Sequence, residues 1–172
     1  LYSDKSFIRE KLSWILFHEM GALAPQGEFL RLNLNGQPKG LYFMVDRIDK
    51  QFLSRHRRVP GALYSVDDEY SLGDLTEQPD DLLKLYYPKQ VGEKKEIGDL
   101  KAMLHELNAV PDSLFEQEAE HIFDMKSVYD WFAANILMMM GDSYNKNYYL
   151  FHDPSARVGG WVIIPWDYDQ SF

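Results

Sequence analysis

Cysteine is missing altogether from this 172-residue sequence. Neither a disulfide framework nor a thiolate metal site can therefore exist in it, an absence that fits any compartment. Also missing is any run of about 20 consecutive apolar residues, which excludes a membrane-spanning helix. Positive charge is scarce: 18 Lys and Arg stand against 27 Asp and Glu, for a formal net charge of −9. A nucleic-acid groove needs a net basic face, so nucleic acid is excluded as a partner. The densest basic stretch, RHRR at Arg55 to Arg58, is short and reads as a solvated loop end. There is no glycine-rich phosphate loop and no internal repeat.

What is present is globular. Hydrophobic residues make up 45% and aromatics 15% of the chain, enough for one domain with a real core. A domain of this size buries about 70% of the surface that its unfolded chain exposes. The sequence starts at Leu1 without a methionine or signal peptide and stops at DQSF, so it reads as a piece of a longer protein.

From Asp4 to Met20 the apolar residues Phe7, Ile8, Leu12, Ile15, Leu16 and Met20 recur at helical spacing, with Asp4 as cap and Gly21 as the left-handed stop. EFLRLNLNGQPKGLYFMV reads as a β-hairpin turning at Asn35-Gly36, its loop extended by Pro38 and Gly40. A short strand, ALYSV, follows at 62–66. Residues 67–96 carry acidic and then lysine-rich stretches broken by Pro and Gly, and read as an irregular surface segment. Helices are expected over Ile97 to Leu107, from Asp112 to Phe123, and from Asp124 or Met125 to Met140, with Gly141 as the residue just past the end. The run Met138-Met139-Met140 reads as a buried helix end.

Chemistry concentrates in GDSYNKNYYL, residues 141–150, and in PWDYD some 25 residues on. Turn residues Asp153, Pro154, Gly159 and Gly160 connect two strands, Tyr148 to His152 and Trp161 to Pro165, as a hairpin. In an antiparallel pair, the residue before the first strand lies opposite the residue after the second. Asn147 is therefore expected near Asp167, with Asp142 entering the same neighbourhood and Asp169 leaving it. Close carboxylates repel unless a cation or proton lies between them. Oxygen donors without cysteine suit a hard cation such as Mg²⁺ or Mn²⁺. The five-residue step from Asp142 to Asn147 is also the spacing of a protein-kinase catalytic loop, where the aspartate takes the hydroxyl proton and the asparagine holds metal. The plainer alternative is a helix exit with Asx-turns, in which Asp167 bonds backbone amides.

The tail DSYNKNYYLFHD…WVIIPWDYDQSF resembles the closing signature of the CotH kinase family. DKSFIREKLSWILFHEMG, LNLNGQPKGLYFMVDRIDKQFL, GALYSV and LYYP resemble its upstream pieces, in order, across nearly the whole chain. The resemblance implies an α+β, atypical protein-kinase-like domain of antiparallel hairpins plus helices, truncated at both ends. A single domain over 1–172 would hold an N-lobe-like hairpin part at about 28–66 and a helical part with the catalytic hairpin at about 97–172. It implies use of ATP and Mg²⁺ (or Mn²⁺) to phosphorylate serine on a protein substrate, at an extracytoplasmic location such as the cell surface or spore coat. By position, Asp142 resembles the catalytic aspartate, Asn147 the metal amide, Asp167 the principal metal carboxylate and Asp169 a second one. Arg9 and Asp46 occupy positions associated with the nucleotide. The chain departs from the family at Asp46, where glutamate is usual, at Ser65, where lysine is common, and at Lys146, where histidine is common. Those departures leave a second reading open, a pseudokinase-like surface or coat module that binds a partner.

Overall fold

The computed structural model describes residues 4–66, 72–93 and 95–172. Its helices are α1 (Arg9–Glu19), α2 (Lys50–Arg55), α3 (Asp80–Tyr86), α4 (Gly98–Ala109), α5 (Phe115–Ile122) and α6 (Met125–Leu137). Its strands are β1 (Gly27–Leu34), β2 (Gln37–Val45), β3 (Ala62–Val66), β4 (Lys89–Val91), β5 (Tyr148–His152) and β6 (Trp161–Pro165). β1 and β2 form a two-stranded ladder; the other four make an antiparallel sheet in the order β4-β3-β5-β6. The fold class is thus α+β, with antiparallel sheets and helices.

The four-stranded sheet is apolar on both faces. Tyr64, Val66, Tyr148, Leu150, Trp161 and Ile163 join a large core with Trp14, Phe17, Leu100, Leu104, Ile122 and Trp131 from the helices. On the other face Leu63, Phe151, Val162 and Ile164 pack with Ile48, Phe52 and Leu53 around α2. Burial on both sides explains why β6, WVIIP, is a continuous apolar run and not an alternating one. α2 starts where Asp49 accepts the amides of Gln51 (2.8 Å) and Phe52 (3.0 Å).

The first hairpin turns at Asn35-Gly36 as expected, both residues having positive φ (51° and 78°). The loop is not extended, because pairing resumes at once with Leu34 opposite Gln37. Pro38 and Gly40 instead flank a bulge: Asn33 pairs with Pro38 and Leu32 with Gly40, leaving Lys39 as the extra residue.

Several expectations need correction. α1 begins at Arg9, not Asp4, although Asp4 still serves its start: it is buried, and its Oδ2 accepts the Arg9 amide at 3.0 Å. The face α1 buries is Ser13, Trp14 and Phe17, while Phe7, Ile8, Leu12 and Ile15 are exposed. The segment read as irregular contains α3 and β4; positions 67–71 and 94 of it lie outside the described residues. The helix expected from Asp112 opens with a 3₁₀ turn, Asp112–Leu114, before α5. α6 stops at Leu137, and Met139 (φ 52°), not Gly141, takes the left-handed conformation after it. Met138 and Met140 are buried as expected, but Met139 is exposed. Nor is RHRR simply solvated, since Arg55 pairs with Asp46 (2.9 Å) and Arg58 with Asp153 (3.0 Å).

Candidate active site

The β5–β6 register follows the sequence reading: Tyr148 faces Pro165 and His152 faces Trp161. One step beyond the ladder, the Trp166 amide donates to the Asn147 backbone oxygen at 3.0 Å. Both strands meet the polar loops there through a left-handed residue, Asn147 (φ 59°) on one side and Asp167 (φ 55°) on the other. Asn and Asp tolerate that conformation better than other residues with a Cβ, so local sterics favour the polar pair at this junction. The turn at Asp167 also breaks the strand's alternation. Trp166 and Tyr168 consequently part: Trp166 packs edge-on against Tyr149 (5.8 Å), whereas Tyr168 enters the main core against Trp14 (5.5 Å) and Phe17 (5.0 Å).

The 142–147 loop is fixed from several directions. Gly73 donates its amide to Asn145 O at 2.8 Å, and its own carbonyl accepts the Tyr148 hydroxyl. A Cβ on Gly73 would come within 1.9 Å of Val66 Cγ1, so the close approach requires glycine. Tyr144 leans on Trp131 (5.9 Å) and Phe132 (5.6 Å) of α6. Ser143 and Asn147 are buried.

Asp142 is the hub. Asn147 Nδ2 donates to its backbone oxygen (3.1 Å) and to its Oδ2 (3.3 Å). Gln170 Nε2 also donates to Oδ2 (3.3 Å), and Lys146 Nζ lies 3.0 Å from Oδ1. The predicted aspartate and asparagine are therefore in direct contact. Gln170, one residue past Asp169, brings the PWDYD segment to the same carboxylate. Asp169 is 9% exposed and Asp167 half-buried.

α1 forms the wall behind this segment. Ser13 Oγ and Ser171 Oγ are hydrogen-bonded at 2.7 Å, and Trp14 and Phe17 hold Tyr168. Glu10 sits one turn before Ser13 and Trp14 on the same face. Burial, and then the charges of Asp167 and Asp169, push its carboxyl up to about 7. The sequence reading missed Glu10, Gln170 and the Asp142–Lys146 pair. Only the last had a local signal, the i,i+4 spacing.

The two nucleotide candidates have other engagements. Arg9 Nε lies 3.8 Å from Asp4 Oδ1. Asp46, at the end of β2, pairs with Arg55 and accepts the Gln26 amide at 3.2 Å. Ser65 is buried in β3, where Gln90 Nε2 donates to its Oγ at 2.9 Å, so no cation stands at that position.

Among the described residues, no three His, Cys, Asp or Glu side chains are gathered as a preformed metal cage. The donor set nonetheless fits Mg²⁺, which is held by one or two carboxylates, with waters and substrate phosphates completing its shell. Asn147, Asp167 and Asp169 supply oxygens of that kind.

Residues 1–172 match the family described as CotH kinase protein, and the chain belongs to it. It is 31% identical over 175 residues to Inner spore coat protein H of Bacillus subtilis (strain 168), an alignment covering 99% of this chain and 48% of that protein. The chain spans about half the length of the curated relative it matches.

Proposed function

We propose that this chain is the phosphotransfer domain of an ATP- and Mg²⁺-dependent (or Mn²⁺-dependent) protein kinase, with a kinase-like fold and serine as acceptor, acting at the spore coat or another extracytoplasmic surface. The observation that carries this reading is the Asp142–Asn147 contact at the open end of a hairpin whose other strand leads into Asp167. In this reading Asp142 as base, Asn147 as metal amide and Asp167 as metal carboxylate follow one another along the chain in the order that phosphoryl transfer uses. The name of the coat-protein relative supports the location.

Asp142 would take the acceptor hydroxyl proton as its oxygen attacks the terminal phosphorus. The donors on Oδ2 hold that carboxylate in one orientation, which is where general-base efficiency begins. Asn147 and Asp167, with Asp169 beside them, would hold the divalent ion, which supplies charge neutralisation for the phosphates. Arg9 and Asp46 remain candidates for the nucleotide's surroundings, Arg9 from the helix that also carries Glu10.

Ser65 favours the second reading, a partner-binding module, because a family position often filled by lysine is neutral and fully bonded here. Calorimetry of ATP binding with and without Mg²⁺, run beside Asp167→Ala, separates the two. The kinase reading expects binding that needs both the metal and Asp167. ATP affinity indifferent to both would leave the partner-binding module.

A further inference from the structure

We infer that Lys146 is the cation that meets the terminal phosphoryl group of the nucleotide, in place of a lysine at position 65. The inference rests on the kinase reading above and adds a residue to its site.

Asp142 limits where an acceptor hydroxyl can sit. A carboxylate has about four acceptor positions. Among the described residues, Asn147 and Gln170 occupy the two on Oδ2, and Lys146 Nζ takes one on Oδ1 at 3.0 Å. The position that remains for an acceptor hydroxyl is on Oδ1, the oxygen that Lys146 touches. In a productive complex the hydroxyl lies about 3 Å from its base and about 3–3.5 Å from the phosphorus it attacks. The non-bridging oxygens of that phosphoryl group then fall within reach of an ammonium already seated beside Oδ1.

The side chain suits the task. Lys146 is 14% exposed, so its charge acts in a medium less screened than water. Its backbone is fixed by its neighbours, with Asn145 O accepting from Gly73 and Asn147 buried at the strand's start. In the reaction the serine Oγ–P bond forms as the bond from the γ-phosphorus to the β,γ-bridging oxygen breaks. The electron pair leaves with ADP and the serine proton passes to Asp142. Lys146 stays protonated, bonding a non-bridging oxygen of the group in transit. Position 65 cannot provide this, since Ser65 is neutral and its hydroxyl is spent on Gln90 and the Pro88 carbonyl.

A lysine that bonds the γ-phosphoryl group discriminates ATP from ADP. Calorimetry with Mg²⁺ should show wild-type protein binding ATP about tenfold or more tighter than ADP, the range of one charge-assisted bond. Lys146→Met should collapse that margin to within about twofold while leaving ADP affinity in place, and Lys146→Arg should restore part of it. Melting temperatures of the variants check that the fold is kept. A margin unchanged in Lys146→Met overturns the assignment and leaves the kinase reading standing. Equal losses for both nucleotides, with no recovery in Lys146→Arg, also overturn it. If wild-type protein binds neither nucleotide, the kinase reading falls and takes the assignment with it.

Discussion

At the closed end of the β5–β6 hairpin, Asp99 is shared by the Tyr64 hydroxyl, Lys89 Nζ (3.6 Å) and His152 Nδ1 (3.4 Å), while Arg58 pairs with Asp153. At the open end, Glu10 of α1 lies within reach of the like charges of Asp167 and Asp169, and Asp142, paired with Lys146, begins the adjoining loop. The hairpin is the same; the charge plan is opposite. Against the opposing effect of burial, hydrogen bonds from His152 and Tyr64 and the Lys89 charge hold Asp99 down at about 2. Burial and neighbouring acids drive Glu10 up to about 7. An acid with its partners in place reports a cluster that stabilises the fold. Acids held together against their own repulsion report a place where a cation or phosphate-bound metal would be favourable.

The largest effect expected from breaking this contrast is at the open end. Asp142→Ala should lower phosphotransfer to a serine acceptor by about a hundredfold or more, the range for loss of a general base. Its melting temperature should fall only modestly, because Asn147 keeps the backbone oxygen of residue 142 as acceptor while the 14%-exposed Lys146 ammonium loses its carboxylate. Radiolabel transfer beside a thermal melt checks both halves. Activity retained in this variant would remove Asp142 from the base role.

The closed end should behave in reverse. Asp99→Ala leaves the Lys89 ammonium, a side chain only 7% exposed, without its carboxylate and the buried Tyr64 hydroxyl without an acceptor. Loss of about 2–3 kcal/mol in urea unfolding is expected, with nucleotide affinity per folded molecule unchanged.

Acid titration sharpens the same pair. Asp99 has a lowered folded-state pKa, about 2 against an ordinary 3.8. Its contribution is complete above pH 3.8 and is lost as pH falls toward 2. Stability curves of wild type and Asp99→Ala should converge over that window.

Glu10 carries the opposite sign, and because its carboxyl is half-exposed, solvent screening leaves it the smallest effect on stability. Its folded-state pKa is raised, about 7 against an ordinary 4.5, so ionisation costs stability progressively as pH rises between those values. Glu10→Gln should therefore match wild type near pH 4 and melt slightly higher at pH 8. A variant that melts lower at pH 8 would show that the Glu10 charge is favourable where it sits.

How much of this was legible depends on the range of the interaction that decides it. The β5–β6 register follows from turn residues and two short apolar strands, and with it comes the Asn147–Asp167 neighbourhood. Asn35-Gly36 likewise announced its turn. α1 misled, because helical spacing of Ile8, Leu12 and Ile15 marks a stripe that this fold leaves outward. The inward stripe is chosen by Tyr168 and Ser171, more than 150 residues away, which no local period can register. α3 and β4 were hidden for a similar reason: Leu83 and Tyr87 gain their order from the distant core, with the Tyr87 hydroxyl accepting the Leu75 amide. The site divides along the same line. Asp142, Asn147 and the PWDYD aspartates were visible in local spacing, whereas Glu10 and Gln170 join them only through tertiary packing.

The Ser13–Ser171 hydrogen bond joins residues 158 positions apart. Around it Phe172 donates its amide to Met138 O at 2.8 Å, and Tyr168 bonds Asn135 at 2.6 Å. The segment bearing Asp167 and Asp169 is thereby moored to α1, which precedes it by some 150 residues, and to the end of α6, much nearer in the chain. Closing a loop of that length carries its entropic cost before the contacts it permits can return anything. On a ribosome the acids of the open end stay scattered until residue 171 has emerged and found α1. The phosphotransfer proposed for this site would then become possible all at once, only when this whole stretch of chain has been made.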